Sequence, residues 1–161
     1  MNPRMVLFEE DQKRLAEACE KLARDALAKA IFLLDTNGQI VVATGEVASI
    51  DQTSLASLVA GTTAATTSLA KLLGEAEFPV HFHEGKHTHL HISLVGENHI
   101  LTVVFDHRSS LGLVRLRVKR AGELLLGLFE ELAARQPSGQ DANVFSEITD
   151  EDIDNLFSDS F

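Results

Sequence analysis

The dipeptide Asn37-Gly38 lies between two short apolar runs and constrains the fold more than any other feature of the sequence. The run before it is AIFLLD (residues 30–35), and the run after it is QIVVAT (residues 39–44). A tight hairpin turn needs residues that tolerate a positive φ, and Asn followed by Gly meets this need. The sequence therefore predicts two antiparallel strands that are joined directly.

Three helices are predicted around this hairpin from apolar residues at helical spacing, over residues 8–28, 53–73 and 109–135. Asp51 or Thr53 is expected to cap the second helix, Gly74 to end it, and Ser109 or Ser110 to cap the third. Cys19 falls on the apolar stripe of the first helix, which indicates a buried small hydrophobe rather than a reactive thiol.

Three further strands are predicted over residues 78–84, 88–95 and 99–106, and the last of them is expected to be central. Pro79 favours an edge position for the first, because proline cannot donate to a strand ladder. The resulting order is α-β-β-α-β-β-β-α. It predicts an α/β protein of the α+β type, with a five-stranded antiparallel sheet and helices on both faces.

Five of the seven histidines lie in the stretch HFHEGKHTHLH, residues 81–91. Alternation places His89 and His91 opposite Leu90 and Ile92, which predicts a half-buried strand with one polar face. We expect the row of His81 and His83 to be a cross-strand neighbour of the row of His87, His89 and His91. Such an arrangement could hold Zn²⁺ or Ni²⁺, but no cysteine joins it, so a metal site is the minor alternative.

The second predicted helix has one bulky side and one side of small residues. The bulky side consists of Leu55, Leu58, Val59, Thr62, Leu69 and Leu73, and the other side consists of Ala56, Ala60, Gly61, Ala64, Thr67 and Ser68. A face with little side-chain bulk lets another backbone approach closely. Packing on its own sheet and contact with another subunit or partner both remain open from the pattern alone.

The net charge of −10 is distributed unevenly along the 161 residues. Residues 136–161 carry seven acids and no Lys or Arg, which leaves 17 acids and all 14 bases in residues 1–135. Phosphate contacts need clustered positive charge, so nucleic-acid binding by the chain is disfavoured. No apolar run reaches the length of a membrane span, the N-terminus does not resemble a secretory signal, and the single cysteine excludes an internal disulfide. Together these features favour the cytoplasm.

The acidic tail is predicted to be separate from the domain in residues 1–135. QPSGQDAN has the composition of a flexible linker, and a capping-box-like Thr149 then precedes apolar residues at helical spacing. A disordered acidic solubiliser is one interpretation. The favoured one is a short motif that folds into a groove on a partner with basic edges, using Phe145, Ile148, Ile153, Leu156 and Phe157.

Signatures of an independent active site are absent from the sequence, which contains no phosphate-binding glycine loop, nucleophile elbow or CxxC motif. No cofactor is therefore expected, and an enzyme is the weak hypothesis. The segments FLLDTNGQI, IDQTSLASLVAG, LAKLLGEAEFP, FHEG, FDHRSSLGLVRLRVK and SEITDEDIDNLFSD resemble the Roadblock family, and within it the MglB-like bacterial polarity regulators. The resemblance runs from about Val6 to Asp159, and the histidine-rich strand departs from the family pattern.

This resemblance implies a homodimer that binds one Ras-like GTPase of the MglA type in its GTP-bound form. It implies stimulation of GTP hydrolysis by remodelling of the GTPase's switch regions, nucleotide exchange favoured by the tail, and enrichment at one cell pole in motile cells. The residues carried over to GTPase binding are Ala60, Ala64, Thr67 and Ser68, and more cautiously Arg14, Arg115, Lys119 and Arg120. Those carried over to the dimer interface are Phe78, Val80, His81, Phe82, His83, Ala56 and Gly61. An adaptor that binds a GTPase without changing its turnover fits the sequence as well.

Overall fold

The computed structural model describes residues 7–135, and its elements follow the predicted order. They are α1 (Glu9–Asp25), β1 (Ala30–Asp35), β2 (Ile40–Gly45), α2 (Gln52–Leu72), β3 (Val80–Glu84), β4 (His89–Val95), β5 (His99–Phe105) and α3 (Leu111–Arg135). The strands form one antiparallel sheet in the order β2-β1-β5-β4-β3. The predicted fold class is confirmed, and so are the central position of β5 and the edge position of β3.

The turn between β1 and β2 is held by the side chain of Asp35, two residues before Asn37. The Asp35 carboxylate accepts hydrogen bonds from the backbone N–H groups of Asn37 and Gln39, each at 2.9 Å. Gly38 has a φ of 86°, and an added Cβ would lie 3.3 Å from the Cα of Ser57 on α2. Glycine therefore permits both the turn and the close seating of α2 on it.

The helices divide unequally between the two faces of the sheet. α1 and α3 cover one face, where Leu15, Leu22, Val118, Leu125 and Phe129 pack against alternate residues of the strands. α2 alone covers the other face, through Ala56 and Val59 packed on side chains that include Phe32, Leu34 and Ile100. Three layers result, and we call the α1/α3 side the double-helix face and the α2 side the single-helix face.

The first helix is shorter than predicted: it ends at Asp25, whereas the sequence predicted an end at residue 28. Leu27 adopts a φ of 50°, the left-handed conformation that terminates helices. The N–H of Leu27 donates to the carbonyl of Arg24, and the N–H of Ala28 donates to that of Ala23. A leucine gives no sequence signal for this ending, since glycine normally occupies the position.

The predicted ends of the other helices are confirmed. The Asp51 carboxylate accepts from the Ser54 N–H at 3.2 Å and caps α2, and Gly74, with a φ of 80°, terminates it. Ser110 caps α3 by accepting from the N–H of Leu113. Each cap satisfies backbone groups that the helix itself leaves without partners.

Candidate functional site

α2 presents most of its surface to solvent because only a narrow stripe of it is buried. Ala56, Val59, Thr63 and Ala70 form this stripe. Neither of the two sides predicted from the sequence is the packing face, since Ala56 comes from the small side and Val59 from the bulky side. The rest of the helix is available to a partner.

One part of the exposed surface, which we call the small flank, consists of Ala60, Ala64, Thr67 and Ser68. Ala64 and Ser68 are exposed, whereas Ala60 and Thr67 are half-buried. The Thr67 hydroxyl donates to the carbonyl of Thr63 at 3.0 Å, so its hydrogen is already used within the helix. The small flank therefore offers methyl groups and close access to the helix backbone, and it carries no long side chain.

The other part, which we call the leucine flank, consists of Leu58, Leu69, Leu72 and Leu73. These side chains are 70%, 51%, 83% and 66% exposed. Leu55, which shares this side by helical spacing, lines a cavity together with His83 and Leu90. The leucine flank therefore lies toward the β4–β3 half of the sheet, and an apolar surface of this kind is typical of an interaction site.

Edge strand β3 lies in the half of the sheet toward which the leucine flank is turned, and it carries most of the residues predicted for a dimer interface. Val80 is 45% exposed, His83 is exposed, and Phe78 and His81 are half-buried. Val80 and Phe82 lie on the double-helix face, opposite His81 and His83, and the ring of Phe82 stacks on Phe105 with centroids 6.0 Å apart. On α2, Gly61 is exposed, but Ala56 is fully buried against its own sheet and offers no surface.

The basic residues associated with GTPase binding do not join the small flank. Arg14 lies on α1 and pairs with Glu131 of α3 at 2.8 Å. Arg115, Lys119 and Arg120 lie on α3. All four belong to the double-helix face, so the sheet separates them from α2 and the two predicted sets cannot form one continuous surface on a protomer.

The expected juxtaposition of the two histidine rows is wrong. In the β3–β4 ladder Phe82 pairs with His91, His83 with Leu90, and His81 with Ile92. Paired residues share a face, so His81 and His83 lie on the single-helix face while His89 and His91 lie on the other. Within residues 7–135 no three His, Cys, Asp or Glu side chains are arranged to hold a metal ion.

The predicted polar face of β4 is also wrong, because α3 covers it. His91 is only 1% exposed, and Ser93 on the same face is buried as well. Burial, followed by the charge of Arg115 and then of His81, lowers the pKa of His91 to about 4. Burial also lowers the pKa of His99, whose ring stacks on Phe129 with centroids 3.7 Å apart.

Cys19 is fully buried in α1, and burial raises the pKa of its thiol to about 12. This confirms the prediction of a packing role, since a thiolate is the reactive form. Among the helices of residues 7–135 none is long and apolar enough to cross a bilayer.

The comparisons with known proteins agree with this geometry. The family model of the Roadblock/LC7 domain matches residues 14–105, more than half of the chain. The chain belongs to the Roadblock/LC7 family. Within this family it is similar to MglB of Myxococcus xanthus, with 50% identity, a TM-score of 0.75, and an alignment that covers 79% of this chain and 96% of that one.

Two further Roadblock/LC7 structures are similar over almost their whole length. The gliding protein MglB of Thermus thermophilus has 36% identity and a TM-score of 0.75, over 81% of this chain and 99% of that one. An MglB with a tetrameric arrangement has 36% identity and a TM-score of 0.76, over 82% and 99%. The comparison with curated protein sequences finds no match.

Proposed function

We propose that this Roadblock/LC7 protein is a homodimeric polarity regulator that binds a Ras-like GTPase of the MglA class and stimulates its GTP hydrolysis. The observation that carries the proposal is the 50% identity to Myxococcus xanthus MglB across 96% of that chain. The protein acts as a regulator without an active site of its own. In a motile cell it is enriched at one pole, as the MglB resemblance implies.

The surface around β3 supports the dimer. β3 is an edge strand with one side free of ladder partners among the described residues, and the leucine flank lies on the adjoining helix. Pairing of two β3 strands would extend the sheet across both subunits. The same contact would bring the two leucine flanks toward each other and remove their apolar surface from water.

The small flank of α2 supports the GTPase contact. A partner's switch segment can approach the helix backbone over Ala64 and Ser68 because no long side chain stands there. Stabilising a hydrolysis-competent switch conformation needs only tighter binding to that conformation than to others. The GTPase's own Gln and Arg then supply the catalytic groups, so two copies of this chain act on one GTP-bound partner without inserting an arginine.

The division of the chain extends the proposal. Residues 1–135 are the Roadblock domain, and residues 136–161 are a linker with a docking motif that promotes nucleotide exchange. The motif residues Phe145, Ile148, Ile153, Leu156 and Phe157 lie outside the described residues. Support for their role comes from their apolar spacing in an acidic background and from the MglB resemblance.

The decisive experiment is single-turnover GTP hydrolysis by a purified MglA-type GTPase with and without this protein. We expect acceleration, together with co-elution of the two proteins only when the GTPase carries a GTP analogue. Binding without acceleration would contradict the activator proposal and favour an adaptor.

The position of the contact is tested with Ala64→Arg, which adds a long cation to the small flank. We expect loss of both complex formation and stimulation while the dimer stays folded. Ala134→Arg is the matched control, since Ala134 is also exposed on a helix but lies on the opposite face of the sheet. Stimulation that survives Ala64→Arg would show that the GTPase binds elsewhere.

A further inference from the structure

A groove runs along the double-helix face between α3 and the outer half of the sheet. Its floor is formed by His91 and Ser93 of β4 and Val80 of β3, and its volume is about 570 Å³. Gly122 lines the α3 wall, and an added Cβ there would meet nothing within 4 Å, so the space beside it is open. Leu126, 37% exposed, supplies an apolar side chain near one end.

The rim of this groove is positively charged. Arg115 and Lys119 lie one turn apart on α3 and both line it, and Arg120 stands on the neighbouring outer surface. Glu123 is also on the rim, yet none of the salt bridges within residues 7–135 involves these three basic residues. In the same range the Nδ1 atom of His91 has no hydrogen-bond partner. An apolar trench with unpaired cations fits an acidic amphipathic segment.

We propose that the groove is occupied by the C-terminal segment of the same chain, residues 149–158. This segment carries Ile153, Leu156 and Phe157 at helical spacing among acidic residues. The apolar side chains would fill the space over Gly122, and the carboxylates would meet the cationic rim. The tail from residue 136 onward has seven acids and no Lys or Arg, so its charge complements that of the rim.

The length of the chain permits this docking. α3 ends at Arg135, and the distance back along the helix to Lys119 is about 24 Å at the α-helical rise per residue. Residues 136–148 can span about 43 Å when extended, and a random coil of that length has an average span of roughly 20 Å. The average span is close to the required distance, which gives a local concentration on the order of millimolar.

The leucine flank is a second apolar surface that the tail could meet, and its charge disfavours this occupant. Lys71 is the only base in the last turn of α2, whereas the groove has Arg115 and Lys119 on one wall. The leucine flank is turned toward the half of the sheet that ends in the edge strand β3, which suits a second copy of the chain. Electrostatic complementarity therefore selects the groove for the acidic segment.

A docked tail is withheld from any other protein. Its apolar side chains would be released only by a partner that competes for them or by a change that closes the groove. The proposal itself does not rest on the GTPase assignment, because it concerns two parts of one chain and is tested without a partner.

The test uses the absence of Trp and Tyr from the sequence. Full-length Phe157→Trp carries a single fluorophore in the tail, and docking should shift its emission to the blue and reduce its quenching by acrylamide. Gly122→Leu fills the groove and should restore the emission and quenching of an exposed Trp. Gly127→Leu is the matched control, because Gly127 is exposed on the same helix and an added Cβ there also meets nothing within 4 Å.

A second pair of variants tests the charges and does not depend on whether Gly122→Leu folds. Arg115→Glu combined with Lys119→Glu should release the Trp, and raised salt should do the same. Lys71→Glu should leave the signal unchanged. The proposal is overturned if the Trp is solvent-exposed in the parent protein, if the two glycine variants give the same signal, or if Lys71→Glu releases the Trp and the α3 variants do not.

Discussion

The burial of His91 predicts that acid weakens this protein through one identifiable side chain. The pKa of His91 is about 4 in the folded protein, against 6.5 for an unperturbed histidine. Burial is the main cause, and the cation of Arg115 on α3 and the ring of His81 on β3 add to it. The unfolded chain therefore binds the proton more tightly than the folded protein does.

The sign and size of the effect follow from this difference. Stability contributed by neutral His91 is complete above about pH 6.5 and is lost as the pH falls toward 4. At pH 5 proton binding to this one side chain multiplies the ratio of unfolded to folded protein by roughly 30. The free energy of unfolding should therefore fall by about 2 kcal/mol between pH 7 and pH 5. This loss is a large share of the stability of an ordinary domain.

The assay is urea unfolding at several pH values and a fixed protein concentration, because the proposed dimer would make stability depend on concentration. His91→Gln removes the titrating group and should flatten the pH dependence by about 2 kcal/mol. His107→Gln is the control, since His107 is exposed. Equal losses between pH 7 and pH 5 in the parent protein and in His91→Gln would refute the reasoning.

Four further predictions concern turns, caps and the dimer. Leu27→Gly should raise the free energy of unfolding by about 0.5–1 kcal/mol, because glycine relieves the positive φ at the end of α1; a lower midpoint in urea would contradict this. Asp51→Ala should lower it by about 1 kcal/mol through loss of the α2 cap, measured in the same way. Gly85→Ala should disrupt the β3–β4 hairpin, because an added Cβ would lie 2.3 Å from the Thr88 carbonyl oxygen; unchanged amide exchange in β3 would refute it. Dimerisation should weaken in acid, because two paired β3 strands would bring the protonated side chains of both His81 residues close together. Burial and then the charge of His83 lower the pKa of His81, so the weakening should begin below pH 6.5; a dimer constant that stays level from about pH 8 down to the pH at which the protein unfolds would argue against β3 pairing.

Local sequence signals predicted the elements of this fold well. Asn37-Gly38 specified a hairpin, Asp51 and Ser110 specified caps, and Gly74 specified a helix end, because each residue acts on its immediate neighbours. The helix end at Leu27 was not predicted, because leucine has no local preference for a positive φ and the surrounding chain imposes this conformation on it.

Features that depend on distant contacts were predicted poorly. The polarity of His89 and His91 indicated a solvent-facing side of β4, but α3 returns from the far end of the chain to cover it. The groove over Gly122 gave no sequence signal, because it arises only where this helix meets two strands. Likewise, the separation of Arg115 from the small flank depends on which face of the sheet each helix packs against.

The opposite placement of the two histidine rows is decided by Phe82. Its ring must reach Phe105 under the double-helix face, and alternation then sends His81 and His83 to the other side of the sheet. One residue more or fewer in the connection between β3 and β4 would invert β3 and bring the two histidine rows onto one face, and Phe82 would then lose its contact with Phe105. The length of the β3–β4 connection thus decides whether this hairpin packs Phe82 against the core or brings its histidines together as a metal site would need.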